Sequence, residues 1–252
     1  AQKIAAGDAE TISVTAPMVK SLLGPEKVKP TFISRSDAVG IANGLAWTSV
    51  GGEMLPVEVS VVPGGSGKIE LTGSLGDVMK ESAQLAVTYA RVHAQQYGIA
   101  ADVFKNSDVH IHAPEGAVPK DGPSAGVTLT TALISALSGL PVRHDLAMTG
   151  EITLHGNVLP IGGLKEKSMA AYREGISTVL IPKDNTPDLY EVDDEVKKAV
   201  QFIPVSDLSQ VLKQALIRPA HSAPRAVPAV PAATQLIASD TSAAAKEPAA
   251  VM

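Results

Sequence analysis

The chain has 252 residues, of which 45% are hydrophobic and 19% charged; this composition is typical of a globular protein with a well-buried core, and no apolar run approaches the roughly 18 residues that a membrane-spanning helix needs. The absence of cysteine excludes a disulfide scaffold, a cysteine nucleophile, an iron-sulfur cluster and a thiolate zinc site. The 21 basic and 26 acidic residues give a net charge of -5, which argues against a nucleic-acid-binding module and for a protein or small-molecule partner.

The N-terminal segment predicts little structure of its own. A short strand at Thr11–Thr15 and a short helix at Ala16–Leu23 precede the breaker pair Gly24 and Pro25. The chain begins at Ala1 without an initiator methionine and without the basic and apolar segments of an export signal. We therefore expect a cytoplasmic protein and a fragment cut from a longer chain.

The next part of the sequence predicts a β-meander followed by a long helix. The segments Ile41–Val50, Leu55–Val62 and Lys68–Thr72 are rich in β-formers and are separated by Gly and Pro breaks. From Leu75 to Tyr97 the apolar residues recur at helical spacing, and Gly98 follows as a C-cap.

Strands and helices continue to alternate in the second half. In chain order we predict a strand at Asp108–His112, a helix at Pro123–Ser138, a strand at Leu146–Thr149, a hairpin turn at His155–Asn157, a helix at Leu164–Glu174, a strand at Thr178–Ile181 and a helix at Leu208–Ile217. The order lacks strict βαβ regularity, so the prediction is an α/β (α+β) fold with mixed sheets and interleaved helices.

The last 34 residues, 219–252, have a different composition. They include 12 Ala and 5 Pro and contain neither an aromatic residue nor a sustained apolar period. Such a segment buries too little apolar surface to fold. We predict a disordered tail.

A candidate serine nucleophile lies at the start of one predicted helix. Residues 122–126 match the pattern G-x-S-x-G, and Pro123 is well suited to a first helical turn that contains Ser124. The free N–H groups and positive dipole end of that turn favour an alkoxide and a developing oxyanion. The alternative is that Ser124 is only a polar residue at the start of a helix, between two glycines. Residues 122–126 alone leave both possibilities open.

A serine nucleophile needs a base, and the histidines fit that role poorly. A Ser-His-Asp esterase of the α/β-hydrolase kind requires a buried strand before the serine, whereas residues 118–121 have loop chemistry. The downstream candidates are His144 and His155, which flank short strands, and His221, which lies in the predicted tail.

A lysine can replace histidine if burial lowers the pKa of its amine. Two lysines, Lys165 and Lys167, follow a pair of glycines on the predicted helix Leu164–Glu174. Lysines on helices are usually solvated surface residues, and helical spacing does not decide which of the two faces inward.

Three long motifs in the right order carry a family resemblance. Residues 113–126, 147–154 and 158–167 resemble the proteolytic domain of Lon, the ATP-dependent serine protease, and residues 44–47, 51–52 and 73–79 also fit. The resemblance covers roughly residues 40–217 and implies the Lon protease-domain fold.

The resemblance also implies a domain organisation. Residues 1–30 would be the remnant of a small helical ATPase domain, 31–218 the proteolytic domain and 219–252 the tail.

The resemblance further implies a Ser-Lys dyad. Carried over by motif, the nucleophile is Ser124, the base is Lys167, and the hydroxyl of Thr149 supports the amine. Four further polar residues flank these motifs without an assigned role: Asp121, Glu151, His110 and His112. His110 and His112 share one strand face, but no third ligand stands at a recognisable spacing, so we interpret them as structural or groove-lining rather than as a metal site.

The remaining parts of a Lon machine are not expected in this sequence. Residues 62–69 come closest to a Walker motif but have Val62 and Ile69 where a glycine and a hydroxyl residue are required. No cofactor is therefore expected in this chain, and ATP with magnesium would belong to an ATPase module. The resemblance implies unfolded, damaged or regulatory proteins as substrates, a homohexamer, and roles in protein quality control and the stress response, with neither a membrane nor a nucleic-acid partner. The alternative is a non-catalytic Lon-like assembly module, which would be expected to lack a dyad residue.

Overall fold

The computed structural model describes residues 5–7, 11, 13–24 and 34–218. The predicted tail 219–252 lies outside these residues, as does much of the predicted ATPase remnant 1–30. The domain boundaries deduced from the sequence therefore stay predictions.

A seven-stranded mixed sheet forms the centre of the described part. Among the described residues, the strands of this sheet and of a small hairpin are β1 (Ile41–Thr48), β2 (Gly51–Pro63), β3 (Ile69–Thr72), β4 (Ser107–His112), β5 (Leu146–Met148), β6 (Glu151–Ile152), β7 (Val158–Leu159), β8 (Thr178–Pro182) and β9 (Gln201–Val205). The sheet order is β3-β4-β2-β1-β5-β8-β9, while β6 and β7 form a separate hairpin. The pairs β1/β2 and β2/β4 are antiparallel, and the other pairs in the large sheet are parallel. The predicted α/β fold with mixed sheets is confirmed.

Helices cover the sheet. They are α1 (Ala16–Leu23), α2 (Asp77–Val92), α3 (Val103–Asn106), α4 (Gly126–Ser138), α5 (Leu164–Arg173), α6 (Asp194–Ala199) and α7 (Leu208–Ala215), with short 3-10 helices at Ala94–Tyr97, Pro123–Ala125, Lys183–Asn185 and Pro187–Glu191. Helix α4 packs on β1 and β2 and against α2. Its residues 126–135 are all buried, which fits a sequence that contains only apolar, Gly, Ser and Thr residues and no charge on any side.

Both faces of the sheet are buried in its parallel part, since every residue of β5 and β8 is buried and successive strand residues point to opposite sides. On β8, Leu180 belongs to the core cluster shared with α2, α4 and α7, whereas its neighbours Val179 and Ile181 belong to a second cluster with α5 and α6. Ser124 therefore precedes α4, which covers one face of the sheet, and Lys167 lies on α5, which covers the other face. Thr149, directly after β5, contacts both residues.

Several predicted boundaries were wrong in instructive ways. The predicted helix Leu75–Tyr97 divides into α2 and a 3-10 turn that ends at the expected C-cap, Gly98. The predicted helix Pro123–Ser138 opens with a 3-10 turn before α4 begins. Of the predicted strand Thr11–Thr15, the described residues 11 and 13–15 form no strand.

Strand β9 was not predicted. It contains Pro204 and forms the edge of the sheet, where a proline is tolerated because no further strand needs its missing N–H. The edge position, which made this proline possible, is set by the tertiary fold and is not visible in the sequence.

Candidate active site

Ser124 lies in the 3-10 turn that leads into α4. The turn follows Gly122, whose φ of +123° is a conformation that favours glycine. The carbonyl oxygen of Ser124 accepts hydrogen bonds from the N–H of Gly150 at 2.9 Å and from the hydroxyl of Thr149 at 3.4 Å. Two contacts from the segment after β5 thus fix the backbone of the half-buried serine.

Lys167 lies on the inner side of α5. Its side chain is only 2% exposed, and its Nζ donates a hydrogen bond of 3.2 Å to Thr149 Oγ1. Burial lowers the pKa of the Lys167 amine from its ordinary value of 10.5 to about 8. Lys165, by contrast, is exposed. The structure therefore distinguishes the two lysines that helical spacing left equivalent.

Close approach between β2 and α5 brings Lys167 inward. A Cβ atom on Gly52 would lie 1.9 Å from the carbonyl oxygen of Glu166 and 2.9 Å from the N of Lys167. These are backbone atoms that cannot rotate away. Only glycine at this position permits the start of α5 to pack so closely on the strand.

Thr149 connects the serine and lysine segments. It follows β5 directly and is 1% exposed. Its hydroxyl accepts from Lys167 and donates to the carbonyl of Ser124. Within the described part of the chain, Ser124 Oγ and Lys167 Nζ form no direct hydrogen bond, and Thr149 contacts both residues.

Ser124 and Lys167 line one cavity of about 600 Å³. Its apolar lining includes Trp47, Met54, Leu55, Met79, Val118 and Ile161, and its charged lining, apart from Lys167, consists of Glu53, Glu115, Lys120 and Asp121. A cavity of this size and character can hold several residues of a peptide beside the serine.

Asp121 holds the backbone of two neighbouring segments through its carboxylate. Its Oδ1 accepts hydrogen bonds from the N–H groups of Met79 at 3.1 Å and of Gly122 at 2.9 Å. A carboxylate at the first turn of α2 also interacts favourably with the helix dipole. Asp121 therefore fastens the segment before Ser124 to α2. Glu151 begins β6 and pairs through its backbone with Leu159 in β7.

His110 and His112 lie apart from the cavity. Thr72 Oγ1 on the neighbouring strand is 2.9 Å from His110 Nε2 and 2.7 Å from His112 Nδ1. Across the residues that the structure describes, no group of three or more His, Cys, Asp or Glu side chains could hold a metal ion.

The other histidines do not approach Ser124 either. His144 bonds to Asp37 at 2.6 Å, and no histidine in the described part of the chain lines the cavity; His221 lies outside that part. A Ser-His-Asp arrangement therefore has no support in the geometry.

The glycine-rich segment 62–69 is held by a carboxylate of the protein itself. It connects β2 and β3, and the N–H groups of Ser66 and Lys68 both donate to Asp108 Oδ1 at 2.8 Å. Asp108 thus holds the turn between the two strands. The expectation that this chain has no ATP site stays a prediction.

The sequence did not identify Lys120 as a residue of the site. It lies in a loop, where no periodic pattern indicates which side chains are buried. Its half-buried side chain donates to backbone carbonyl groups beside the cavity.

Within the described ranges, no helix has the length and apolarity to cross a membrane.

Comparisons with known proteins point to one family. The family model for the Lon protease (S16) C-terminal proteolytic domain matches residues 13–218. The Lon protease of Brevibacillus choshinensis is 50% identical over 218 residues, which are 86% of this chain and 28% of the relative. The Lon protease of Chloroflexus aggregans is 55% identical over 200 residues (79% and 24%), and Lon protease 1 of Myxococcus xanthus is 52% identical over 206 residues (82% and 25%). The chain thus spans about a quarter of the length of these relatives.

Proposed function

The chain belongs to the Lon protease family as its C-terminal proteolytic domain, and from that premise we propose that it is a serine endopeptidase with Ser124 as nucleophile and Lys167 as general base. One observation carries the assignment. The amine of Lys167 is buried, has a pKa lowered to about 8, and is bonded to a threonine that also contacts the backbone of Ser124. An amine with that pKa is partly neutral at pH 7 and can accept a proton.

The reaction would proceed through an acyl-enzyme. Neutral Lys167 takes the proton of the Ser124 hydroxyl as the serine oxygen attacks the peptide carbonyl carbon. The first turn leading into α4 stabilises the developing oxyanion through its N–H groups and the helix dipole. The lysine ammonium then gives its proton to the leaving amine, becomes neutral again, and activates the water that hydrolyses the ester.

Thr149 would orient the amine throughout. Its hydroxyl holds Lys167 Nζ at 3.2 Å, and bound substrate would bring Ser124 Oγ within the roughly 3 Å that proton transfer requires. Catalytic hydrogen bonds are often long in the absence of substrate.

The whole protein would act on unfolded, damaged or regulatory proteins. The relatives are about four times as long as the matched segment, and we place the use of ATP and magnesium in the part of the intact protein that this chain does not span. We further propose a cytoplasmic homohexamer that serves protein quality control and the stress response.

The buried lysine also weighs against a non-catalytic assembly module. Burial of an amine is unfavourable for folding, and a binding module would have no reason to retain it. Both Ser124 and Lys167 are present.

The test uses an extended peptide substrate and three variants of the 252-residue chain. Ser124→Ala removes one hydroxyl and should abolish hydrolysis; Lys167→Arg should do the same because a guanidinium stays charged. Lys165→Arg, on the same helix but exposed, is the matched control and should retain activity. The value of kcat/KM should rise with pH and level off above about 8. Full activity in both Ser124→Ala and Lys167→Arg would refute the dyad.

A further inference from the structure

One wall of the cavity is a loop without regular structure. Residues 113–119 connect β4 to the segment before Ser124 and form neither helix nor strand. Pro114, Glu115, Val118 and Pro119 of this loop line the cavity, although residues 115–119 are exposed. Apolar packing therefore cannot hold this wall in place by itself.

The ammonium group of Lys120 contacts this loop from within. Its Nζ donates to the carbonyl oxygens of Glu115 at 2.7 Å, Val118 at 3.0 Å and Gly73 at 3.4 Å. An ammonium has three N–H donors, so these contacts use its full capacity. Lys120 turns back toward its own loop rather than extending into solvent.

The shortest of these bonds is made to the residue of the loop with a left-handed backbone. Glu115 has a φ of +63°, a left-handed conformation that is uncommon for a residue with a side chain. Its carbonyl accepts both from Lys120 Nζ and from the N–H of Val118, at 2.9 Å. The charge-assisted bond offsets the cost of the turn.

The backbone of Lys120 is tied to the rigid part of the fold. Its N–H donates to the carbonyl of Ser74 at 3.0 Å, and its carbonyl accepts from the N–H of Gly76 at 2.7 Å. These residues immediately precede α2. The backbone of Lys120 thus belongs to the scaffold, while its side chain reaches out to the exposed wall.

We propose that Lys120 is a positioning residue that holds loop 113–119 as a preformed wall of the peptide-binding cavity, and thereby determines the affinity for extended peptide substrates. This inference rests on the proposed function. A wall that is ordered before binding does not have to be ordered by the substrate, so less binding free energy is lost. The chemistry at Ser124 remains with Lys167, because the ammonium of Lys120 bonds to the carbonyls of Gly73, Glu115 and Val118 instead.

The first experiment needs no enzymatic activity. Amide hydrogen exchange of the peptide that covers loop 113–119 is compared in wild type, Lys120→Met and Lys120→Arg. Methionine retains the length but has no donor, so exchange should accelerate about ten-fold, and arginine should restore most of the protection. Lys165→Met is the control for loss of a lysine elsewhere. Unchanged exchange in Lys120→Met would overturn the proposal, and if that variant fails to fold, Lys120→Leu, which also has no donor, takes its place under the same criteria.

The second experiment separates binding from chemistry. With an extended peptide, Lys120→Met should raise KM about ten-fold and change kcat by less than about three-fold. The pH at which activity is half-maximal should stay that of wild type, because Lys167 is untouched. A fall in kcat without a change in KM would mean that Lys120 acts in the chemical steps, and the proposal would fail. If wild type cleaves no peptide, the proposed function fails, while the exchange experiment still decides whether Lys120 orders the loop.

Discussion

Replacement of Lys167 by methionine should inactivate the protein and yet stabilise it at neutral pH. Methionine fills nearly the same space without a charge. Burial lowers the pKa of Lys167 from 10.5 to about 8, and a difference of that size corresponds to about 3.4 kcal/mol against folding at pH 7. Loss of the 3.2 Å hydrogen bond to Thr149 subtracts about 1 kcal/mol. The net gain in the free energy of unfolding should be about 2 kcal/mol, or about 4–8 °C in Tm.

The gain should depend on pH with a definite sign. Below pH 8 both the folded and the unfolded wild type bind the lysine proton, and the full cost of burying the charge is present. Between pH 8 and 10.5 the unfolded chain retains a proton that the folded protein has lost, so wild-type stability rises with pH. At pH 9.5 the remaining cost is about 1.4 kcal/mol, and the advantage of methionine should shrink to about 0.4 kcal/mol.

Urea unfolding of wild type and Lys167→Met at pH 7 and pH 9.5 provides the measurement. Lys165→Met, on the exposed side of α5, is the matched control and should change stability by less than about 0.5 kcal/mol at either pH. A Lys167→Met variant that is less stable than wild type at pH 7, or equally more stable at both pH values, would refute the assignment of a costly buried charge to Lys167.

Three further perturbations test the supporting structure. Thr149→Val removes the hydroxyl that holds Lys167 Nζ and should lower kcat about 10- to 100-fold with little change in KM, measured by steady-state hydrolysis. Gly52→Ala would bring a Cβ to 1.9 Å from the backbone of α5 and should cost about 2 kcal/mol in urea unfolding. Gly162→Ala, where a Cβ meets open space, should change that stability by less than about 0.5 kcal/mol. Deletion of residues 220–252 should change Tm by less than about 2 °C, because an Ala- and Pro-rich tail is expected to bury little apolar surface.

Much of the secondary structure could be predicted because it depends on local chemistry. The helix Ala16–Leu23 was predicted with its observed bounds, and the turn His155–Asn157 lies between β6 and β7 as expected. Gly98 and Gly139 end helical segments in left-handed conformations, which glycine adopts without steric cost. Strand β9 escaped prediction because the position of Pro204 is acceptable only at a sheet edge.

The candidate site was predictable in its residue types but not in its arrangement. The pattern around Ser124 and the two lysines after Gly163 suggested a serine with a lysine base, and the family resemblance named Lys167 and Thr149. Periodicity could not choose between Lys165 and Lys167, since it describes one helix alone. The contacts of Lys120 gave no sequence signal, because its side chain bonds to backbone carbonyl groups, which every residue has.

Local chemistry in the sequence was sufficient for most helices, for the turn that contains Ser124 and for the family resemblance. The solvation of each lysine, in contrast, depends on contacts between distant elements. Close packing of α5 on β2 at Gly52 buries one lysine amine and leaves its neighbour in solvent. The pKa of an amine depends on its solvation by water, and that solvation is fixed only when elements distant in the chain pack together.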